Sequence, residues 1–126
     1  MKIQLPIHID TGATVDETKY LAFDERYELK SVKVVDAAGV AADASDYAIL
    51  KVFGNDQATE AFEWSTQDSA QGALTAGVDA DLVDQNSGKA IFEASDVVKI
   101  TKTHAGSAGK AVDAMLILTF EQARKY

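Results

Sequence analysis

Two histidines, His8 and His104, are the only imidazoles in the chain, so acid–base or nucleophilic chemistry near neutral pH runs through one of them or through carboxylates. His104-Ala105-Gly106-Ser107-Ala108-Gly109 puts an imidazole and a hydroxyl in one short stretch, two of the three groups that serine-type acyl transfer needs. A nucleophile elbow also requires Gly two residues before the serine, and Ala105 stands there, so the stretch reads as a loop of small residues. The same loop ends in Gly109-Lys110. A phosphate loop would place Gly where His104 stands and a hydroxyl residue where Ala111 stands, and would open a helix instead of a strand. Asp79, Asp81 and Asp84, with Asp43 and Asp46, supply the hard oxygens that calcium takes, but an EF-hand begun at Asp79 would need Gly at position 84 and Glu at position 90, where Asp84 and Ala90 occur. These acidic loops read as hydrated surface, with a calcium site assembled by tertiary contacts as the alternative. Paired carboxylates for glycoside chemistry depend on a separation that spacing in sequence does not fix. Trp64 and Tyr47 are the aromatics suited to stacking on a sugar, and packing in the core or at its rim is their competing role. The absence of cysteine removes thiolate catalysis, disulfides and cysteine-ligated metals. No catalytic, cofactor or metal residue is assigned on these grounds, and the chain reads as a non-enzyme.

The elements that would position these side chains are strands. Ile3, Leu5, Ile7 and Ile9 alternate with Lys2, Gln4, Pro6 and His8, the period of a strand buried on one face, and Pro6 puts it at a sheet edge. Residues 20–23 and 27–35 follow as strands. Leu29 falls on the opposite phase from Val32 and Val34, which predicts a bulge near Lys30 and Ser31. Residues 36–46 read as a surface loop. Tyr47 to Phe53 is a strand ending at Gly54-Asn55-Asp56, a turn triplet able to supply positive φ. Ala58 to Trp64 is its return strand, although Asp56 as an N-cap would also permit a short helix there. One or two short strands fit within 71–83, then come 90–92, 97–103 and 112–120. The last is apolar on both phases and should lie inside the fold. About eight strands without helical periodicity predict an all-β, single-domain antiparallel sandwich of the jelly-roll kind spanning 1–126, with 1–10 as an edge strand or docking arm.

Composition supports a folded chain and restricts its partners. The 126 residues suffice for one core, built on 31 Leu, Ile, Val and Phe, because 21 of the 59 apolar residues are alanine. Residues 1–35 carry six acids and five bases, 36–84 ten acids and one base, and 85–126 four acids and six bases, which gives −1, −9 and +2 and sums to −8. That balance opposes phosphate backbones and anionic lipid, so neither nucleic acid nor membrane is an expected partner. If the acidic middle lies together in space, the chain ends form the electrostatically permissive surface. The opening residues lack the apolar run of a signal peptide, and a protein made in a cytoplasm is expected.

Three segments carry a resemblance: Tyr27-Glu28-Leu29-Lys30-Ser31-Val32-Lys33-Val34, the strand and turn Asp46 to Asp56, and Ala90-Ile91-Phe92-Glu93-Ala94-Ser95-Asp96-Val97-Val98. Together with Gly106-Ser107, Ala114 to Phe120 and Gln122-Ala123-Arg124, they resemble the small β-sandwich proteins that decorate capsids of tailed bacteriophages. Ser95 stands where that family commonly has Gly in an F-x-A-G-D turn. The resemblance implies a non-enzymatic cement protein without a cofactor, made in the host cytoplasm and placed on the capsid exterior. It also implies a homotrimer that binds the major capsid protein at capsomer junctions and stabilises the shell by many weak contacts. Within it, Lys2, Gln4, Pro6 and His8 of the first strand and Arg124, Lys125 and Tyr126 of the tail are the expected contact residues, since an edge strand can extend a partner's sheet and these ends lack the acidic excess. Deleting residues 1–8 is expected to abolish attachment and leave a folded domain. A tail or baseplate adaptor of the same fold and a carbohydrate-binding module are the alternatives.

Overall fold

The computed structural model describes residues 2–122, so the expected contacts at Arg124, Lys125 and Tyr126 lie outside the described residues. Ten strands follow in order: β1 (Lys2–Thr11), β2 (Glu17–Ala22), β3 (Tyr27–Asp36), β4 (Tyr47–Phe53), β5 (Glu60–Ser65), β6 (Asp79–Asp81), β7 (Val83–Asp84), β8 (Ile91–Phe92), β9 (Val97–Ala105) and β10 (Val112–Gln122). One sheet runs β1-β10-β3-β6, with β8 also on β3, and the other runs β2-β9-β4-β5-β7. Every pairing is antiparallel. Among the described residues only β4 to β5 is a hairpin within one sheet, and every other connection passes from one sheet to the other. This repeated change of layer makes the all-β sandwich jelly-roll-like, as the strand pattern predicts.

The count exceeds eight because residues 79–92 break into three short strands. Leu82, between β6 and β7, is 5% exposed and donates its N–H to Val32 O, so the chain crosses the core edge at that residue and pairs with a different sheet on either side. The predicted bulge is present: Thr119 pairs with Ser31 and Phe120 with Leu29, which leaves Lys30 as the extra residue. The return strand after Asp56 is β5, as the turn chemistry favours, and not the helix the spacing also allowed. Positive φ falls on Gln57 and not within the Gly54 triplet, while the Asp56 carboxylate accepts the N–H groups of Ala58 and Thr59. Gly54 is required for another reason, since a Cβ there would run into the backbone and side chain of Lys89. The 36–46 segment is not wholly surface: Val40 is buried and bridges Leu74.

β10 lies between β1 and β3, yet only one of its faces is covered. Val112, Ala114, Leu116, Leu118 and Phe120 point into the core, while Met115 on the other face is exposed and Ile117 half-buried. The expectation of burial on both faces therefore fails, because two layers cover one face of each sheet. One end of the sandwich is closed by rings: Phe120 packs edge-on against Phe23 at 4.9 Å and near Phe92 at 6.5 Å, and Phe23 lies 5.0 Å from Tyr27.

The other end is closed by a lysine. Lys102 on β9 is fully buried, and its ammonium donates to Val15 O at 2.8 Å, Gly12 O at 3.1 Å and Ala13 O at 3.4 Å. Three donors meet three carbonyls of the β1–β2 connection, which satisfies the charge that burial would otherwise penalise. Burial pushes its pKa down and the nearby Asp16 carboxylate pushes it back up. Asp16 also accepts from His104 Nδ1 at 2.7 Å and from the His104 N–H at 3.0 Å, and the side-chain bond is the main reason its carboxyl is held below the usual range.

Lys102→Met keeps the side-chain volume and orphans the three carbonyls. We expect a loss of about 2 kcal/mol in urea unfolding, with faster amide exchange over residues 12–16; an unchanged midpoint would mean that water replaces the ammonium. Asp16, with its folded-state pKa lowered, contributes stability above its ordinary value of 3.8 that disappears as pH falls through the folded value. Asp16→Asn should therefore flatten the decline in urea midpoint between pH 5 and 2, leaving the part due to Asp43 and Asp56, which are also held low.

Candidate functional site

β1 is an edge strand, paired over its whole length with β10 from Lys2 opposite Glu121 to Thr11 opposite Val112. The side chains of Lys2, Gln4, Pro6 and His8 are exposed, while Ile3, Leu5 and Ile7 pack half-buried against the core. On the outward face, Pro6 lies opposite Ile117 and His8 opposite Met115, and the next strand adds Val35 opposite Met115. These residues form an uncovered, largely apolar stripe across three strands. Gln4 Nε2 donates to Thr119 Oγ1 at 3.3 Å at one end of it, and His8 Nε2 meets Asp113 Oδ1 at 2.6 Å at the other. A cleft of about 240 Å³ between His8, Val35, Ala37, Asp113, Ala114 and Met115 sits at that second end. The structure thus brings four of the expected contact residues onto one face. Because all ten residues of β1 pair with β10, deleting 1–8 would uncover that strand and the core beside it. The deletion is expected to disturb the fold, contrary to the reading from sequence.

His8, Asp10 and Asp113 place their ligand atoms within 4.8 Å of one another, the one such group among the described residues. Asp10 and Asp113 are directly opposite across the two strands, where like charges repel, and the imidazole of His8, itself opposite Met115, contacts Asp113. One imidazole and two carboxylates are donors that a divalent cation accepts. The acidic loops behave differently. Asp79 and Asp81 both face Lys33, at 3.4 and 3.5 Å, Asp43 caps the N–H groups of Ser45 and Asp46, and Asp46 accepts from the Ala108 N–H, so these carboxylates do not converge. No serine or threonine hydroxyl bonds either imidazole among the described residues; His104 is engaged by Asp16 and His8 by Asp113. Tyr47 and Trp64 do not share a face. Tyr47 is on the outward phase of β4, whereas Trp64 lies opposite the buried Leu50 and packs at the rim of the core.

A second concave site surrounds Trp64, with a volume of about 310 Å³. Glu63, Ser65, Asp68, Gln71, Gly72, Val83 and Gln85 complete its wall. Sequence reasoning singled out Trp64 alone, because Gln71 and Gln85 reach it from loops without a motif. Charge is partitioned in the same way. Residues 36–84, with ten acids and one base, supply β4 to β7, and β5, β6 and β7 lie at the side of the sandwich remote from β1 and β2.

No family model matches the sequence, and no curated protein matches it. Among solved structures, a chain of the infectious bursal disease virus Gx strain is 12% identical and aligns over 99% of this chain and 33% of its own, with a TM-score of 0.35. A Desmodium yellow mottle tymovirus chain is 12% identical over 100% of this chain and 90% of its own, with a TM-score of 0.34. The infectious bursal disease virus VP2 subviral particle gives 8% identity over 98% and 38%, also with a TM-score of 0.34. The chain spans about a third of the length of the bursal disease virus chains to which it is similar.

Proposed function

We propose that this protein is a non-enzymatic structural component of a tailed-phage virion, a decoration protein that binds the outer capsid surface at capsomer junctions and stabilises the shell. The observation that carries the reading is the outward face of β1 and β10: an edge strand with one unpaired row of backbone groups, beside an apolar stripe of Pro6, Met115, Ile117 and Val35 that the sandwich itself leaves uncovered. An exposed strand edge is a template for adding a strand from another chain, and the neighbouring apolar side chains give such a contact area. Five of the acids of 36–84, Glu60, Glu63, Asp79, Asp81 and Asp84, lie on β5, β6 and β7 at the other side, so approach through β1 avoids them and meets the carboxylates of Asp10 and Asp113 at one end of the face. The sequence segments that resemble capsid decoration proteins support the same reading, and with it a trimer of single-domain subunits whose tail, Arg124 to Tyr126, joins the contact. Many copies each held by a modest contact bind tightly when geometry lets all engage together.

His8→Glu combined with Met115→Glu places two charges on the outward face without touching a core side chain. Co-sedimentation with heads stripped of this protein should fall at least tenfold for the double variant while the melting temperature stays within a few degrees of the parent. Undiminished attachment by the folded variant would sink the proposal. Quantified bands should give hundreds of copies per particle; a handful would point instead to a tail or baseplate adaptor. Light scattering on the free protein tests the trimer.

A further inference from the structure

The pocket around Trp64 has features that attachment through β1 does not use. Trp64 Nε1 donates to Gly72 O at 3.0 Å, which locks the indole plane against the 66–72 turn. That turn is tight. A Cβ on Gly72 would run into backbone atoms of Ser65, Thr66 and Asp68, and the Gly72 N–H is held by Asp68 O at 2.7 Å. Asp68 Oδ1 accepts the N–H groups of Ala70 and Gln71, and Ser65 Oγ that of Gln67, so the rim is ordered by its own hydrogen bonds. An aromatic wall fixed before the ligand arrives reduces the ordering that binding would otherwise require.

The polar lining selects the ligand chemistry. Glu63, Asp68, Gln71, Gln85 and Ser65 line the site beside one aromatic ring and the exposed Val83, the Glu63 carboxylate and the Gln71 and Gln85 amides supplying its polar groups, and among the described residues no lysine or arginine lines the wall. An anion finds no positive partner there. A single ring is not the cage that recognises quaternary ammonium ions. A ligand with one apolar face and a circumference of O–H donors matches both the ring and the acceptors, and the volume of about 310 Å³ lies at the small end of ligand sites. We propose that the Trp64 pocket is a saccharide-binding subsite, specific for neutral or amino sugars and closed to sialic and uronic acids.

Trp64 is the only tryptophan, so intrinsic fluorescence reports this pocket alone. Titrating the full-length protein with cellobiose, maltose, lactose, chitobiose and glucosamine should give a saturable change in emission with at least one of them, and none with glucuronic or sialic acid. Gln71→Ala with Gln85→Ala removes two amides whose backbone bonds do not depend on the side chain, and should weaken that response at least tenfold at an unchanged melting temperature. Trp64→Phe, followed by calorimetry, should also lose the heat of binding. A panel without any response, an equal response in the Gln71→Ala/Gln85→Ala variant, or a response to tetramethylammonium with none to neutral sugars would overturn the proposal. Capsid attachment is measured separately and is expected to be unaffected in these variants, so the two readings can fail independently.

Discussion

A two-layer sandwich buries one face of each sheet and leaves the other face to whatever surrounds the molecule. β10 makes the consequence visible, because it carries apolar residues in both phases and the fold uses only one of them. Its inward row, from Val112 to Phe120, is at most 1% exposed, which accounts for the core. Met115 and Ile117 contribute little to that core, and in an isolated molecule they would be better replaced by polar residues. The two neighbouring edges differ in the same sense. β2 points Lys19 and Glu17 inward, paired at 3.1 Å, and inward charges make an edge a poor template for further strands. β1 points Ile3, Leu5 and Ile7 inward and is interrupted only by Pro6. Of the two edges, β1 is the one the sequence leaves open.

The buried lysine supports that open edge from within. Lys102 belongs to the β2–β9–β4–β5–β7 sheet, yet its ammonium holds carbonyls of the connection that leads out of β1. The contact ties the last turn of β1 to the opposite layer, at the end where Thr11 meets Val112, while the ring cluster about Phe120 anchors the end where Ile3 meets it. An edge strand fastened at both ends and half-buried between can present its outer row as a rigid surface. Docking onto such a surface loses less conformational entropy than docking onto a flexible arm.

Periodicity in the sequence carried most of the fold. The alternation in β1, the phase slip that becomes the bulge at Lys30 and the apolar run of β10 are local signals, and each corresponds to an observed element. What local signals could not carry was which phase faces outward when both are apolar, or that Lys102 lies inside, since a lysine between Thr101 and Thr103 reads as surface. The Val40 side of the isolated bridge to Leu74 was hidden because its flanks are alanine, glycine and aspartate, residues without strand pattern. Trp64 was legible as a candidate by type. Its pocket was not, since Gln71 and Gln85 gain meaning only when β7 is brought beside β5.

Connection lengths fix where the two surfaces sit relative to each other. Residues 12–16 join β1 to β2 across the layers, so those edges lie on one side of the sandwich, while Leu82 alone joins β6 to β7 on the other. The Trp64 pocket, walled by Glu63 and Val83 on β5 and β7, belongs to that second side, which also holds Asp79, Asp81 and Asp84. Copies packed side by side on one shell are separated most favourably when their acidic edges point away from the shell and from one another, because exposed like charges repel within about 10 Å at ordinary ionic strength. If copies attach to a shell through β1, as proposed, that orientation puts β1 inward and the Trp64 pocket outward, and the array would display the proposed saccharide subsite toward solvent in many copies, where weak contacts add through multivalency.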